Sequence, residues 1–310
     1  NFVIYSPVKS CFEGRVLARQ GGFTRFVRSV LLLLALLAAG ALAVAYSIGA
    51  WNVLFPSSEH DSRQPYLPPD LSRPAILVFS KTNRFRHEDG IVGGSRAIAD
   101  LAIGNGWSTF FSENGAVFNP QQLAEFDVVV FLNATGDMLS RSQQQAFESW
   151  LESGGGWLGI HAAGDGSHAA WPWYMENLIG TRFTAHTLGP QFQNASVVME
   201  NHDHPVAQGV PSVWDHGEEW YSWERSPRAA GFTILASVDE DSYTPEQKFL
   251  WHQRDLRMGD HPVVWSNCVG SGRAVYAAMG HRSESFQTRP FRKILENAIL
   301  WGLGEVEESC

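Results

Sequence analysis

Cysteine is scarce in this chain: three in 310 residues, Cys11, Cys268 and Cys310. Too few and too scattered for a disulfide framework or a zinc knuckle, they read as structurally incidental. Positive charge is also short, with 23 Lys and Arg against 32 Asp and Glu and a formal net charge of −9. That balance excludes a general nucleic-acid binder, because phosphate contacts need a basic surface. Only 18% of residues are charged and 44% are hydrophobic, which excludes a disordered or fibrous chain. There is no internal repeat and no His-x-x-x-His spacing that would mark a local metal motif. The length suits one large or two modest domains.

The longest absence is of charge itself. Between Arg28 and Glu59 lie 30 consecutive uncharged residues, and Val30 to Trp51 is their most apolar part. At a helical rise that part spans about 33 Å, which matches a hydrocarbon core of about 30 Å. Arg15, Arg19, Arg25 and Arg28 precede it and acidic residues follow. The positive-inside bias therefore predicts a single-pass inner-membrane protein with a cytoplasmic N-terminus and a periplasmic or other extracytoplasmic domain. A cleaved signal segment is the competing reading, since Ala41-Leu42-Ala43 and Ala43-Val44-Ala45 are small-residue cleavage patterns. The apolar run exceeds the roughly 7–15 residues of a signal core, which favours the anchor. No cysteine follows the run closely, which argues against a lipoprotein. With Asn1 rather than Met at its head, the sequence is expected to begin away from its natural start.

The expected organisation is a basic segment at 1–28, an anchor at 29–54, a linker at 55–73, the main domain at 74–304 and a tail at 305–310. Pro56, Pro65, Pro68, Pro69 and Pro74 mark the linker as an extended, unpacked spacer. Within the domain, Ala75 to Phe79 and Val128 to Leu132 are wholly apolar runs, as strands buried on both faces should be. Trp107 to Phe111 and Trp157 to Ile160 are further strand candidates. Asp89 to Asn105 has helical spacing and glycines at its end, and a second helix follows Ser140, a good N-cap. Shorter strand-like runs at Phe232 to Val238, Pro262 to Trp265 and Ala274 to Met279 precede a terminal amphipathic helix from Phe291 to Trp301. Alternating strands and helices predict an open α/β sheet, in which ligands sit beyond the carboxyl ends of the strands.

Those ends are polar. His87 follows the first strand, Asn133, Thr135 and Asp137 the third, and His161 and Asp165 the fourth. Gly159-Ile160-His161-Ala162-Ala163-Gly164 has the form of a nucleophile elbow, with His161 as the lifted residue. His281 follows the late strand in the same way, and Glu284, three residues on, is placed to orient it. His87, His161, His186 and His281, with Asp165 or Glu219, also offer a donor set for a divalent, zinc-like ion that only the fold could assemble. The chain holds 12 Trp, most of which belong to the core. Trp173, Tyr174, Trp220 and Tyr221 lie in clusters beside acidic residues and are candidate platforms for a sugar ring. Asp203-His204-Pro205 and Asp260-His261-Pro262 read as turns.

In order along the chain, Phe85-Arg86-His87, Phe131 to Asp137, Gly154-Gly155-Gly156, Gly159 to Ala163, Trp171-Pro172-Trp173-Tyr174, Asp203-His204-Pro205, Glu219-Trp220-Tyr221, Asp260-His261-Pro262, Gly272-Arg273 and Gly280-His281 resemble the trehalose-utilisation (ThuA-like) family. The resemblance runs from about Pro74 to Leu303. It implies a flavodoxin-like fold of the class I glutamine amidotransferase kind, a parallel sheet with an antiparallel extension. In those amidotransferases the elbow bears a cysteine and a histidine–glutamate pair lies near the C-terminus. Here His161 falls on the cysteine position and His281 on the histidine position, with Glu284 one residue beyond the usual glutamate. Cys268 lies far from the elbow, so thiol-based glutamine hydrolysis is not expected.

The leading expectation is a membrane-anchored enzyme acting on trehalose-like or keto-disaccharide substrates by histidine and carboxylate chemistry. His161, His281, Glu284 and Asp165 would be catalytic; His87, Asn133, Thr135, Asp137, Trp173, Tyr174, Glu219, Trp220 and Tyr221 would hold the sugar. A domain that binds a sugar or cell-wall glycan without converting it is the alternative. A scaffold that docks a partner oxidoreductase ranks below both, because polar residues rather than an apolar patch crowd the strand ends.

Overall fold

The computed structural model describes residues 13–47, 50–306 and 310, and the side chains of the first helix from residue 22. The start of the basic segment, with Lys9 and Cys11, lies outside the described residues. The chain divides into two units, Asn1–Trp51 and Asn52–Cys310.

The first unit is one helix, Glu13–Ser47. Its Gly22–Ser47 portion has a mean hydropathy of 2.4 and is long and apolar enough to cross a bilayer. A stretch of this composition so near the N-terminus also fits the apolar part of a signal sequence.

The second unit is built on thirteen strands, β1 (Ala75–Phe79), β2 (Ser108–Ser112), β3 (Val128–Leu132), β4 (Gly156–Ile160), β5 (Phe183–His186), β6 (Gln193–Met199), β7 (Val213–Glu218), β8 (Tyr221–Trp223), β9 (Thr233–Val238), β10 (Glu246–Phe249), β11 (His252–Asp255), β12 (Pro262–Val269) and β13 (Gly272–Ala277). Nine of them form one sheet in the order β2-β1-β3-β4-β13-β12-β9-β6-β7. From β2 to β13 every pairing is parallel, and from β13 to β7 every pairing is antiparallel. The expected parallel sheet with an antiparallel extension is therefore the observed architecture. β13 is the seam between the halves.

β1, β3 and β4 are buried along their whole length, and strand alternation assigns their two faces. On one face of β3, Phe131 packs on Phe147 of the Arg141–Glu152 helix, on Tyr174 and on Trp157. On the other, Leu132 and Val128 approach Gly94 of the Glu88–Asn105 helix and Gly302 of the Arg289–Gly302 helix. Helices thus cover both sides, as a parallel sheet requires. A Cβ on Gly90 would stand 2.5 Å from the Gly280 carbonyl oxygen, so the bare glycine lets the first covering helix press against the turn after β13.

Two expectations need correction. Residues 57–65 of the expected linker are extended but docked on the folded unit. Asp61 accepts from Lys81 and from the Gly115 N–H, and Gln143 donates to the Asp61 carbonyl. Asn114 and Gln122 donate to the Arg63 and Pro65 carbonyls. A proline-rich strand cannot pair with itself, and these side chains satisfy backbone groups that would otherwise need water. Cys268 and Cys310 are not incidental either, because they form a disulfide. Their 42-residue separation hid the pairing, since only the fold returns the tail to β12.

Candidate functional site

β4 and β13 are neighbouring parallel strands with Ile160 opposite Ala277. Whatever follows them leaves at the same sheet edge. His161 follows β4 with φ +49, a left-handed backbone that non-glycine residues adopt only where the surroundings impose it. Here Tyr276 and Asn133 impose it. The Tyr276 hydroxyl donates to the His161 carbonyl at 2.6 Å, and Asn133 accepts from the Ala162 N–H at 3.3 Å while donating to the Gly280 carbonyl at 3.1 Å. Asn133 thereby clamps the elbow to the turn that carries His281. Gly280 itself has φ +119, a conformation for which glycine is the fitting residue.

The two imidazoles meet. His161 Nε2 lies 3.0 Å from His281 Nδ1, and Glu219, just beyond β7, brings Oε2 to 3.0 Å from His281 Nδ1 and 3.5 Å from His161 Nε2. His87, at the start of the Glu88–Asn105 helix, sets its ring edge-on to both, with centroids 5.0 Å from His161 and 4.6 Å from His281. One donor atom from each of His87, His161, Glu219 and His281 lies within 4.8 Å of all the others. His161 Nδ1 sits 2.7 Å from the Ala278 carbonyl; a carbonyl only accepts, so Nδ1 carries a proton and Nε2 is the atom aimed at the cluster. Tyr221 packs against the His161 ring at 4.3 Å between centroids.

The surroundings set the charges. Burial alone would raise the Glu219 carboxyl, but hydrogen bonds with His161 and His281 hold it far below the usual range. Burial disfavours a charged His161, yet Glu219 and Glu218 together raise it above its ordinary value. His87 is pushed well down, first by burial and then by the neighbouring imidazoles. Behind the cluster, Glu218 accepts from the N–H groups of Gly280, His281 and Glu219 and from the Ser285 hydroxyl. Although burial opposes its charge, hydrogen bonding and the nearby histidines keep its pKa at about 2. Glu218 is a buried anion that fixes the backbone on which His281 and Glu219 stand.

Exposure differs among the rings. His281 and His186 keep 14% and 31% of their side chains exposed, whereas His161 keeps none. Two depressions lie next to the rings, although neither is lined by the four clustered residues themselves. One, of about 670 Å³, is lined by Arg84, Phe85, Asp137, Asp165 and Ser167, and Phe85 contacts His87. The other, of about 750 Å³, is lined by Arg182, Phe183 and Thr184, and Phe183 contacts Tyr221.

Of the residues expected at the site, His87, His161, His281 and Glu219 converge, with Tyr221 packed beneath. His186 joins through the other oxygen of Glu219, at 3.1 Å. Glu284 does not: its side chain is 61% exposed and faces Arg282, so Glu219, distant in sequence, orients His281 instead. Asp165 caps the Ser167 N–H and Asp137 pairs with His60; both line the 670 Å³ depression rather than the cluster of His87, His161 and His281. Thr135 is buried and donates to the Phe85 carbonyl. Three of the expected sugar platforms are structural. Trp173 donates to Glu152, Tyr174 to the Ala163 carbonyl inside the core, and Trp220 to the Gln193 carbonyl. Sequence reasoning missed Glu218 and Tyr276; the adjacent acidic pair Glu218-Glu219 at a strand end was the available signal.

A family model described as trehalose utilisation, ThuA, matches residues 75–302. Among solved structures, a ThuA-like protein from Bacteroides uniformis is 26% identical, with a TM-score of 0.63 over 79% of this chain and 97% of its own. A second ThuA-like protein, from Parabacteroides merdae, is 16% identical, with a TM-score of 0.58 over 77% of this chain and 93% of its own, and speaks to the fold alone. No curated protein matches the sequence.

Proposed function

The chain belongs to the trehalose-utilisation (ThuA) family, and on that premise we propose that its folded unit is an enzyme acting on trehalose-like or keto-disaccharide substrates. The observation that carries the reading is the contact of His161, His281 and Glu219 at the carboxyl edge of the parallel strands. Imidazole and carboxylate groups held at this spacing can polarise a sugar carbonyl or hydroxyl and move its proton. Among the described residues no thiol takes part, because Cys268 is committed to Cys310. The apolar helix and the disulfide both support an exported, membrane-tethered protein in an oxidising compartment. Sugar binding without conversion has less support, since Trp173, Tyr174 and Trp220 are spent on the core and its braces.

The test is a turnover screen of oxidised and unoxidised disaccharides with the full-length protein. His161→Gln and His281→Gln are expected to lose at least a hundredfold in kcat/KM with unchanged circular dichroism. Turnover undiminished in both variants, or binding with no product from any sugar, would refute the assignment.

A further inference from the structure

We infer that His87, His161, Glu219 and His281 bind one divalent cation of the zinc class. The assignment deepens the enzyme reading at the same site. For its part in turnover it rests on that reading, and for the binding itself on donor geometry alone.

Three imidazoles and one carboxylate are donors suited to zinc, and their spacing fits it. An ion with bonds of about 2.0–2.1 Å in a tetrahedron sets its ligand atoms about 3.3 Å apart. Three edges here, His161 Nε2 to His281 Nδ1, His281 Nδ1 to Glu219 Oε2 and His161 Nε2 to Glu219 Oε2, are 3.0, 3.0 and 3.5 Å. His87 completes the set within 4.8 Å.

Hydrogen bonding among the four groups alone leaves a remainder. His87 Nδ1 is buried and has no hydrogen-bond partner, an expensive condition for a polar atom. A shared cation supplies what this crowd of buried imidazoles lacks. The supporting contacts are also those that metal ligands need, since a ligating histidine commonly donates its second ring N–H to a carbonyl. His161 does so to Ala278. Glu219 keeps Oε2 toward the cluster because Oε1 is taken by Gln191 at 2.5 Å and His186 at 3.1 Å. Glu218 holds the backbone N–H groups of both Glu219 and His281.

Zinc in a catalytic site accepts a further oxygen ligand from solvent or substrate. His281 marks the side from which one would arrive, being the most exposed of the four donors. His186 then stands outside the ligand set and is joined to it through Glu219.

The experiment titrates zinc chloride alone into untagged, chelator-treated, full-length protein in detergent, by calorimetry, with metal content measured after desalting. One equivalent per chain is expected. His87→Ala and His281→Ala should each weaken binding at least a hundredfold, and Glu284→Ala should leave it unchanged. Absence of uptake, or equal uptake by the wild type and both histidine variants, overturns the site. Should those variants fail to fold, cobalt loading of the wild type decides. Intense visible bands of a four- or five-coordinate ion support the site, and the weak bands of six-coordinate cobalt refute it. One bound zinc without any sugar conversion would sink the enzyme reading and keep the metal centre. Sugar conversion by protein that takes up no zinc would do the reverse.

Discussion

His204 shows how the fold assigns a histidine a role that residue type alone does not. In the turn read from Asp203-His204-Pro205, the imidazole itself is the cap: His204 Nδ1 accepts from the Val206 N–H at 3.2 Å, and Nε2 faces the Ser266 hydroxyl at 3.2 Å. An accepting Nδ1 carries no proton, and burial pushes the group from 6.5 to about 4. The unfolded chain therefore binds a proton that the folded one refuses between those values. Stability contributed by neutral His204 is full above pH 6.5 and falls as pH drops through that window to about 4. Urea unfolding at pH 7 and pH 4.5 is expected to show a smaller acid-induced loss in His204→Asn than in the wild type; equal losses would contradict it. At the carboxyl edge of the parallel strands, the sequence made His161 and His281 readable because each follows an apolar strand with small residues around it. It misled on Glu284, whose nearness along the chain is no guide to where its carboxylate points. Glu219 and His281 are neighbours only because β7 and β13 end at one place, and no local pattern states that. Trp173 and Tyr174 misled for a related reason. An aromatic beside polar residues looks the same whether its ring faces a ligand or Phe147 and Phe131.

Among the elements, the parallel half was the more legible. Strands covered on both faces read as unbroken apolar runs, so β1 and β3 match their expected spans and β4 differs by one residue. In the antiparallel half β9, β12 and β13 fall on the expected runs Phe232 to Val238, Pro262 to Trp265 and Ala274 to Met279, whereas β6, β7 and the strands of the two small sheets match no expected run. β6 buries Ala195, Val197 and Met199 and turns the residues between them outward, and β11 is exposed throughout. Neither Gln193–Met199 nor His252–Asp255 alternates cleanly between apolar and polar residue types, so the signal that marks a half-buried strand is missing. The Arg141–Glu152 helix begins as its Ser140 cap predicts, with Gln143 Oε1 accepting from the Ser140 N–H at 2.7 Å. The same Gln143 donates to the Asp61 carbonyl at 2.7 Å, so one side chain both starts a helix and ties down the proline-rich segment. Gln143→Ala is expected to cost about 1–2 kcal/mol in chemical unfolding, two hydrogen bonds at their ordinary net worth. It should also speed protease cleavage within residues 57–65. Cleavage no faster than in the wild type would mean that the segment is held by its other contacts.

For the molecule as a whole, alternating strand and helix patterns and the long uncharged run foretold an α/β sheet and an apolar helix, and both are present. What composition concealed is the covalent closure. The bond between Cys268 and Cys310 spans 42 positions, a ring that takes in β13, His281 and the Arg289–Gly302 helix. Loop-closure entropy for a ring of that size is about 4 kcal/mol, so reduction should lower the Tm by roughly 10 °C. Calorimetry with and without a reductant, using Cys268→Ser as the permanently open form, measures it; coincident transitions would show that the ring adds nothing. One of the two central imidazoles thus rides on a lasso whose knot is a redox couple. Were the knot undone, the turn that carries His281 would be held only by non-covalent contacts such as those of Asn133 and Glu218.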